Sequence, residues 1–384
     1  MRVMLTRAPA GHSVYAELVN SPPDAVSYTW PETPPPAGAG AMATPPASHA
    51  YARRLLALLR LPHLQPLAGR GESSDLVHSC QGLLLTSRPW VVDIEHASPF
   101  VGTSFDRWHS PIARGVIRRV LRGPACRAIL PWTDTAAEGF LRWCGDDEAI
   151  RRRVTVVPPA IAVGEPPPPR PGPVAHLLFV ANRPEWNFVV KGGRELLAAV
   201  AQLRTRHPHL RLSIVGPRPA DEPASMPGVT WHGLVDRSAL AALYRAADAY
   251  VMPSFSDTFG MVYLEAMAAA LPIVALDRPY TRDIVRDEET GLLVPMSAQS
   301  IAFCGADGRF AMTSEAFIAR RLAAPADPAV VSALVDRVER LIGNPALARA
   351  LGARGRDEVT AGRFSIPRRN AALSNVYADA IASG

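Results

Sequence analysis

The stretch AYVMPSFSDTFGMVYLEAMAAALPIVAL, from Ala249 to Leu276, runs from a short apolar segment through a polar loop and an apolar helical segment into a second short apolar run. AYVM and PIVAL are too short and too evenly apolar for half-exposed strands, so they read as strands buried on both faces. MVYLEAMAAA between them reads as a helix. Strand, loop, helix and strand in so few residues make one unit of a parallel sheet.

The same rhythm extends on both sides. HLLFVAN is followed by GRELLAAVAQLRTR, LRLSIVG by a loop, VTWHG by SALAALYRAA, and PIVAL by another helix and then GLLVP. Strands and helices alternating at these lengths predict a doubly wound parallel sheet, whose ligands bind in loops beyond the carboxyl ends of the strands. Pro253 to Gly260 is such a loop. Further on, residues 297–330 read as a less regular insertion, DRVERLIGNPALARALGARGRDEV as two helices around a Gly-Asn-Pro turn, and PRRNAALSNVYADAIA as a final helix.

Towards the amino terminus, MRVML reads as a strand, with Gly11 in the turn after it. Ser21 to Ser48 is rich in Pro, Ala and Gly and holds no period, so an irregular loop is expected. His49 to Leu61 reads as an amphipathic Arg/Leu helix. DLVHSC, PWVVDIEH and CRAILPW read as buried strands, with a turn or short helix between the first two and with Thr133 or Asp134 placed to cap the helix of AAEGFLRW. VTVVPPAI leads to GEPPPPRPGP (Gly164 to Pro173), where proline excludes helix and removes sheet donors. A domain boundary is expected there.

Within the opening stretch, Asp257 and Glu265 stand around Phe259-Gly260 where a loop becomes a helix. A purely structural reading makes Asp257 a cap, Glu265 an ordinary helix acid and AMAAA core. Gly260, however, places a residue without Cβ at the helix start, where unpaired amides can approach an anion. Glu265 lies beyond the first turn among Met, Val, Tyr, Leu and Ala, and a carboxylate in such surroundings needs a partner; the paired hydroxyls of a ribose supply one. The set reads as a site for a nucleotide-linked sugar. The amides of Phe259 to Met261, next to Thr258, face phosphate, Glu265 faces ribose, and Asp257 accepts from sugar hydroxyls.

WHGLVDRSALAALYRAADAYVMPSFSDTFGMVYLEAMAAALPIVALD resembles the donor-binding half of the retaining GT-B glycosyltransferases of family four, the glycogen-synthase-like and mannosyltransferase-like group. That group carries an acid, seven residues, then Glu; here Asp257 stands in place of the more usual first Glu and reaches one methylene less far. LLFVANRPEWNFVVKGGRELLAAV resembles the segment whose Arg and Lys neutralise the donor diphosphate, which implies those roles for Arg183 and Lys191. IVGPRP matches the loop against the base, with Gly216 and Arg218, and DEETGLLVP (Asp287 to Pro295) matches a frequent acid-Thr-Gly turn. The resemblance is close over residues 174–296 and looser to about residue 370. In the first domain, RPWVVDIEHASPFVG stands where these enzymes place a His near the reacting sugar. This implies His96, with Glu95 beside it; a His that merely ends a strand is the other reading. The family's paired glycines after the first strand are represented by Gly11 alone.

The resemblance implies the α/β GT-B fold, two Rossmann-like doubly wound domains facing each other across a cleft. Residues 1–170 would form the acceptor side, with the Pro-rich loop 21–48; residues 171–365 would bind the nucleotide sugar, and 366–384 would form a helix packing back on the first domain. The implied reaction carries a sugar from a UDP- or GDP-linked donor to an acceptor hydroxyl on a glycan, a lipid-linked or a small molecule, with retention of configuration. No cofactor is implied and no metal, since no DxD triplet occurs. Asp257 would position sugar rather than attack it, and the setting implied is cell-envelope or polysaccharide biosynthesis.

Composition bounds these readings. With 384 residues, 48% of them hydrophobic, the chain can bury more than one core. Lysine and arginine exceed the acids by 41 to 35, a net charge of +6, without a basic stripe interleaved with aromatics, so no nucleic-acid partner is expected. Cys80, Cys126, Cys144 and Cys304 lack metal or disulfide spacing, which fits a reducing cytoplasm. The start lacks a signal-peptide core and no run approaches the ~18 apolar residues of a spanning helix, so any membrane contact is expected to be peripheral, at the inner face. Arg53, Arg54 and Arg60, with Arg114 to Gly123, suit an anionic bilayer and solvated helix faces equally. The alternative to an enzyme is a catalytically idle GT-B module that binds a nucleotide sugar or a protein.

Overall fold

Segments apolar on both faces form the strands, as a helix-covered parallel sheet requires. Arg2–Leu5 (β1), Ser27–Thr29 (β2), Leu76–Cys80 (β3), Trp90–Ile94 (β4) and Cys126–Pro131 (β5) make one parallel sheet in the order β2-β1-β3-β4-β5. Every residue of β3 and β4 is buried. The computed structural model describes residues 1–6, 13–29, 61–65, 74–168, 170, 172–297, 300–301, 303 and 311–382. Gly11, residues 30–60 with Arg53, Arg54 and Arg60, and Cys304 lie outside the described residues.

The chain divides into two compact units, Met1–Ala162 with Arg363–Gly384, and Val163–Gly362. The last helix, Ile366–Ala382, therefore belongs to the first unit, where it buries Leu373, Tyr377 and Ala380. The Tyr377 hydroxyl lies 2.6 Å from Nδ1 of His78 on β3 and 3.1 Å from the Tyr28 hydroxyl on β2. Asp93, buried on β4, accepts from the Tyr15 hydroxyl at 2.8 Å and from Trp132 Nε1 at 3.0 Å. These bonds satisfy a carboxylate that the core could not otherwise hold.

One reading of the first unit changes, and one of two alternatives drops out. Ser27–Thr29, inside the stretch read as a loop, forms the edge strand β2; three residues are too few to show a period. No helix forms between β3 and β4, where Leu83 instead bridges to Leu64. On the helix Pro111–Arg122, Arg118 and Arg122 both pair with Asp147, so part of that basic face is neutralised within the unit.

In the second unit, His176–Val180 (β6), Arg211–Val215 (β7), Val229–Gly233 (β8), Ala249–Met252 (β9), Ile273–Leu276 (β10) and Gly291–Val294 (β11) form a parallel sheet in the order β11-β10-β9-β6-β7-β8. The chain builds outward from β6 through β7 and β8, then crosses back to pair β9 with β6 and builds the other way. This reversal is the topological switch point, where an open sheet leaves a crevice beyond its carboxyl ends. Around the sheet lie Gly193–Arg206, Arg237–Ala246, Met261–Ala268, Pro328–Gly343 and Pro345–Thr360, the last two separated by Asn344 as the Gly-Asn-Pro turn predicts. The irregular insertion also contains a helix, Ser314–Ala323.

Candidate functional site

The loops leaving β6 and β9 meet at the switch point, and specific contacts hold them there. After β6 the chain turns through the short helix Asn187–Val190 to Lys191 and Gly192. Gly192 has φ 79°, and a Cβ on it would sit 2.3 Å from the Pro253 carbonyl oxygen, so only glycine allows this approach to the loop after β9. Phe255 in that loop is buried and donates its amide to the Val190 carbonyl at 3.0 Å. The Arg321 guanidinium lies 3.8 Å over the Phe255 ring and bonds the buried Glu195 carboxylate at 2.7 Å. An aromatic ring under a desolvated guanidinium is a firm anchor.

This stapling brings Lys191 to Asp257. The ammonium donates to both carboxylate oxygens, at 3.1 and 3.0 Å, with side chains only 14% and 19% exposed. Beyond Asp257, Thr258 is half-buried and Phe259 buried, and Gly260 precedes the helix Met261–Ala268 in the left-handed region at φ 80°. A Cβ on Gly260 would meet the Tyr263 ring at 2.9 Å, and the Asp257 carboxyl carbon lies 3.8 Å from the same point. No side chain caps this helix, which leaves its first amides to other partners and its positive dipole end beside Asp257.

Glu265 lies on the second turn, half-buried. The Tyr244 hydroxyl, from the helix Arg237–Ala246, donates to Glu265 Oε2 at 3.0 Å and lies 3.3 Å from the Val262 carbonyl. Burial, and next the charge of Glu265, push the Tyr244 phenol well above its ordinary range, so it keeps its proton and remains a donor. Tyr250 and Tyr263 extend this aromatic floor, at 5.8 and 6.1 Å between successive ring centres.

The other predicted residues are placed less centrally. Arg183 is exposed beside the Asn187 turn, with no hydrogen-bond partner for its guanidinium among the described residues. Gly216 follows β7 and donates to the Gly233 carbonyl at 2.8 Å, whereas the exposed Arg218 folds back on its own loop to the Glu222 carbonyl at 2.5 Å. In the first unit, His96 is buried two residues after β4; its Nδ1 accepts from the Ser98 amide at 3.1 Å and its ring stacks on Trp108 at 4.9 Å. Half-buried Glu95 precedes it. Tyr244, Phe255 and Arg321 are the contributors that sequence reasoning missed. No local sequence signal pointed to them, since each meets its partner across a long separation in the chain.

Residues 175–304 match the family model described as Glycosyl transferases group 1. A phosphatidyl-myo-inositol mannosyltransferase of Mycobacterium tuberculosis is 35% identical over 147 residues, 36% of this chain and 39% of that protein. A D-inositol 3-phosphate glycosyltransferase of Nocardia farcinica is 31% identical over 252 residues, 57% of this chain and 55% of that protein. The chain thus spans about two fifths of the length of the mannosyltransferase it matches, at 39%. Among solved structures, the sucrose-phosphate synthase of Thermosynechococcus elongatus superposes with a TM-score of 0.61 at 18% identity over 100% of both chains. HepE of Anabaena, solved with UDP-glucose, gives 0.59 at 12% identity over 98% of this chain and 99% of that one. The two Rossmann-like units are those of the GT-B fold.

Proposed function

We propose, from the premise of a GT-B chain whose residues 175–304 form a group 1 glycosyl transferase domain, that this protein transfers a sugar from a nucleotide-diphosphate donor to an acceptor hydroxyl, with retention of configuration and without a metal. The observation that carries the reading is the gathering at one switch point of an uncapped helix start, the Lys191 ammonium and the carboxylates of Asp257 and Glu265.

As the bond from the anomeric carbon to the diphosphate breaks, negative charge grows on the leaving oxygens. Amides at Phe259 to Met261 and the Lys191 ammonium lie on elements already fixed, so they stabilise that charge with little reorganisation. Arg183, exposed beside the same turn, supplies a second cation. Asp257 steers Lys191 and accepts from sugar hydroxyls, Glu265 accepts from ribose, and the loop at Gly216 lies against the base. Retention follows if the acceptor enters on the face the diphosphate leaves, with a phosphate oxygen taking its proton; no protein nucleophile is then required.

The named relatives act, by their names, on phosphatidyl-myo-inositol and D-inositol 3-phosphate, so mannosyl donors and inositol-containing acceptors are the first to test. A cytoplasmic location, peripheral contact with the inner face of a membrane and a part in cell-envelope biosynthesis belong to the same proposal. Among the described residues no helix is long and apolar enough to cross a membrane. No observation favours the idle binding module.

The test is a thermal-shift and turnover screen against UDP- and GDP-linked sugars. A donor that binds raises the melting temperature by mass action, and Glu265→Ala removes most of that shift and of the turnover while circular dichroism stays unchanged. Unaltered binding and turnover in Glu265→Ala, or no response to any donor, would overturn the reading.

A further inference from the structure

The geometry points to Tyr244 as a positioning residue that sets how tightly the ribose of the donor nucleotide is held, by fixing one oxygen of Glu265. The inference rests on the reading of Glu265 as the ribose acceptor and goes beyond it to a residue outside the donor motif.

Glu265 sits on a short apolar helix, and a glutamate has three side-chain torsions to settle before it can present a carboxylate to a diol. Tyr244 restricts that freedom. Its hydroxyl bonds Glu265 Oε2 at 3.0 Å, and the Val262 carbonyl on the same helix lies 3.3 Å away, so the contact refers the carboxylate to the helix that carries it. The tyrosine is itself immobile: it is 4% exposed, near the end of the helix Arg237–Ala246, with its ring 5.8 Å from that of the fully buried Tyr250. A carboxylate has about four acceptor sites, and the bond to Tyr244 occupies one of those on Oε2. The phenol can only donate here, which keeps Glu265 in the acceptor role that hydroxyls need.

The consequence is selective. Without the Tyr244 hydroxyl, Glu265 is still present but its Oε2 is less firmly held, so contacts to ribose weaken and contacts to diphosphate do not. A residue with a merely structural role would lower stability without changing which part of the nucleotide is recognised.

The experiment compares wild type, Tyr244→Phe, Glu265→Ala and the double variant, by calorimetric titration with UDP and GDP and with their 2′-deoxy and 3′-deoxy forms. The wild type prefers a ribonucleotide over a deoxy form. In Tyr244→Phe that preference falls roughly fivefold to tenfold, the scale of one hydrogen bond to a charged group, while the deoxy form it has lost most against binds as in the wild type. The double variant binds no more weakly than Glu265→Ala, because Tyr244 acts through that carboxylate. A full preference in Tyr244→Phe, beside its loss in Glu265→Ala, overturns the role of Tyr244 alone. A full preference in Glu265→Ala overturns the ribose reading and this inference with it, as does failure of both nucleotides to bind.

Discussion

Lys191 spends two of its three ammonium donors on Asp257, and with both side chains largely covered the pair is screened far less than a surface pair worth roughly 0–1 kcal/mol. An anion that takes Lys191 must compete with that carboxylate. Asp257→Asn should therefore bind UDP or GDP at least as tightly as the wild type and yet transfer sugar more slowly; calorimetry beside steady-state rates checks this, and weaker nucleotide binding in the variant counts against it. Lys191→Ala should lower kcat by about a hundredfold, as expected for one donor to a developing charge. A raised KM at unchanged kcat would remove Lys191 from the departure of the phosphate. At this scale the sequence showed that an acid in an apolar helix needs a partner and assigned that place to ribose hydroxyls; within the protein the Tyr244 hydroxyl takes part of it. Which residue fills that need was hidden, because the two lie 21 positions apart on different helices.

Elements were legible wherever a period or a run of branched residues had length to show itself. HLLFV, RLSIV, AYVM and IVAL all form strands, and Asn344 separates the two long helices where the Gly-Asn-Pro turn was expected. Ser27–Thr29 was too short to betray itself. The helix Ser314–Ala323 was hidden in an irregular stretch, and nothing local could announce that its Arg321 lies over Phe255, 66 positions before it. The terminal helix Ile366–Ala382 shows what such distant partners contribute. Ending the chain after Gly362 uncovers the places of Leu373 and Tyr377 and leaves His78 and Tyr28 without the Tyr377 hydroxyl. Burial of each large apolar side chain contributes about 1.5–3 kcal/mol and each orphaned buried polar group costs about 1–3 kcal/mol, against a total stability of roughly 5–15 kcal/mol. The shortened protein should lose the near-ultraviolet signal of the first unit's aromatic core at much lower urea, and Tyr377→Phe should lose about 1–3 kcal/mol. An unmoved midpoint in both would show that the helix contributes little to the unit.

Two units in one chain give ligand effects an address. All the groups placed at the switch point, from Lys191 to Glu265, belong to Val163–Gly362. Hydrogen exchange with saturating UDP or GDP should slow at residues 187–193 and 253–265 and leave the amides of β3 and β4 unchanged. Protection confined to the first unit would move the site there. The parallel order of the second sheet was readable from alternating strands and helices, whereas the return of the last helix to the first unit was implied by the family resemblance alone, since no periodicity marks a helix as the partner of strands 299 positions away. The division of the first unit between the two ends of the chain orders events during synthesis. The sheet of the first unit leaves the ribosome early, yet the helix that covers part of β3 and β5 emerges only after the whole of Val163–Gly362. At roughly 5–20 residues per second this is a wait on the order of ten seconds or more, spent with an apolar sheet surface incompletely clothed. The second unit, being contiguous, can finish first; whatever delays it prolongs the time in which a chaperone, or another nascent chain, finds the first unit still open.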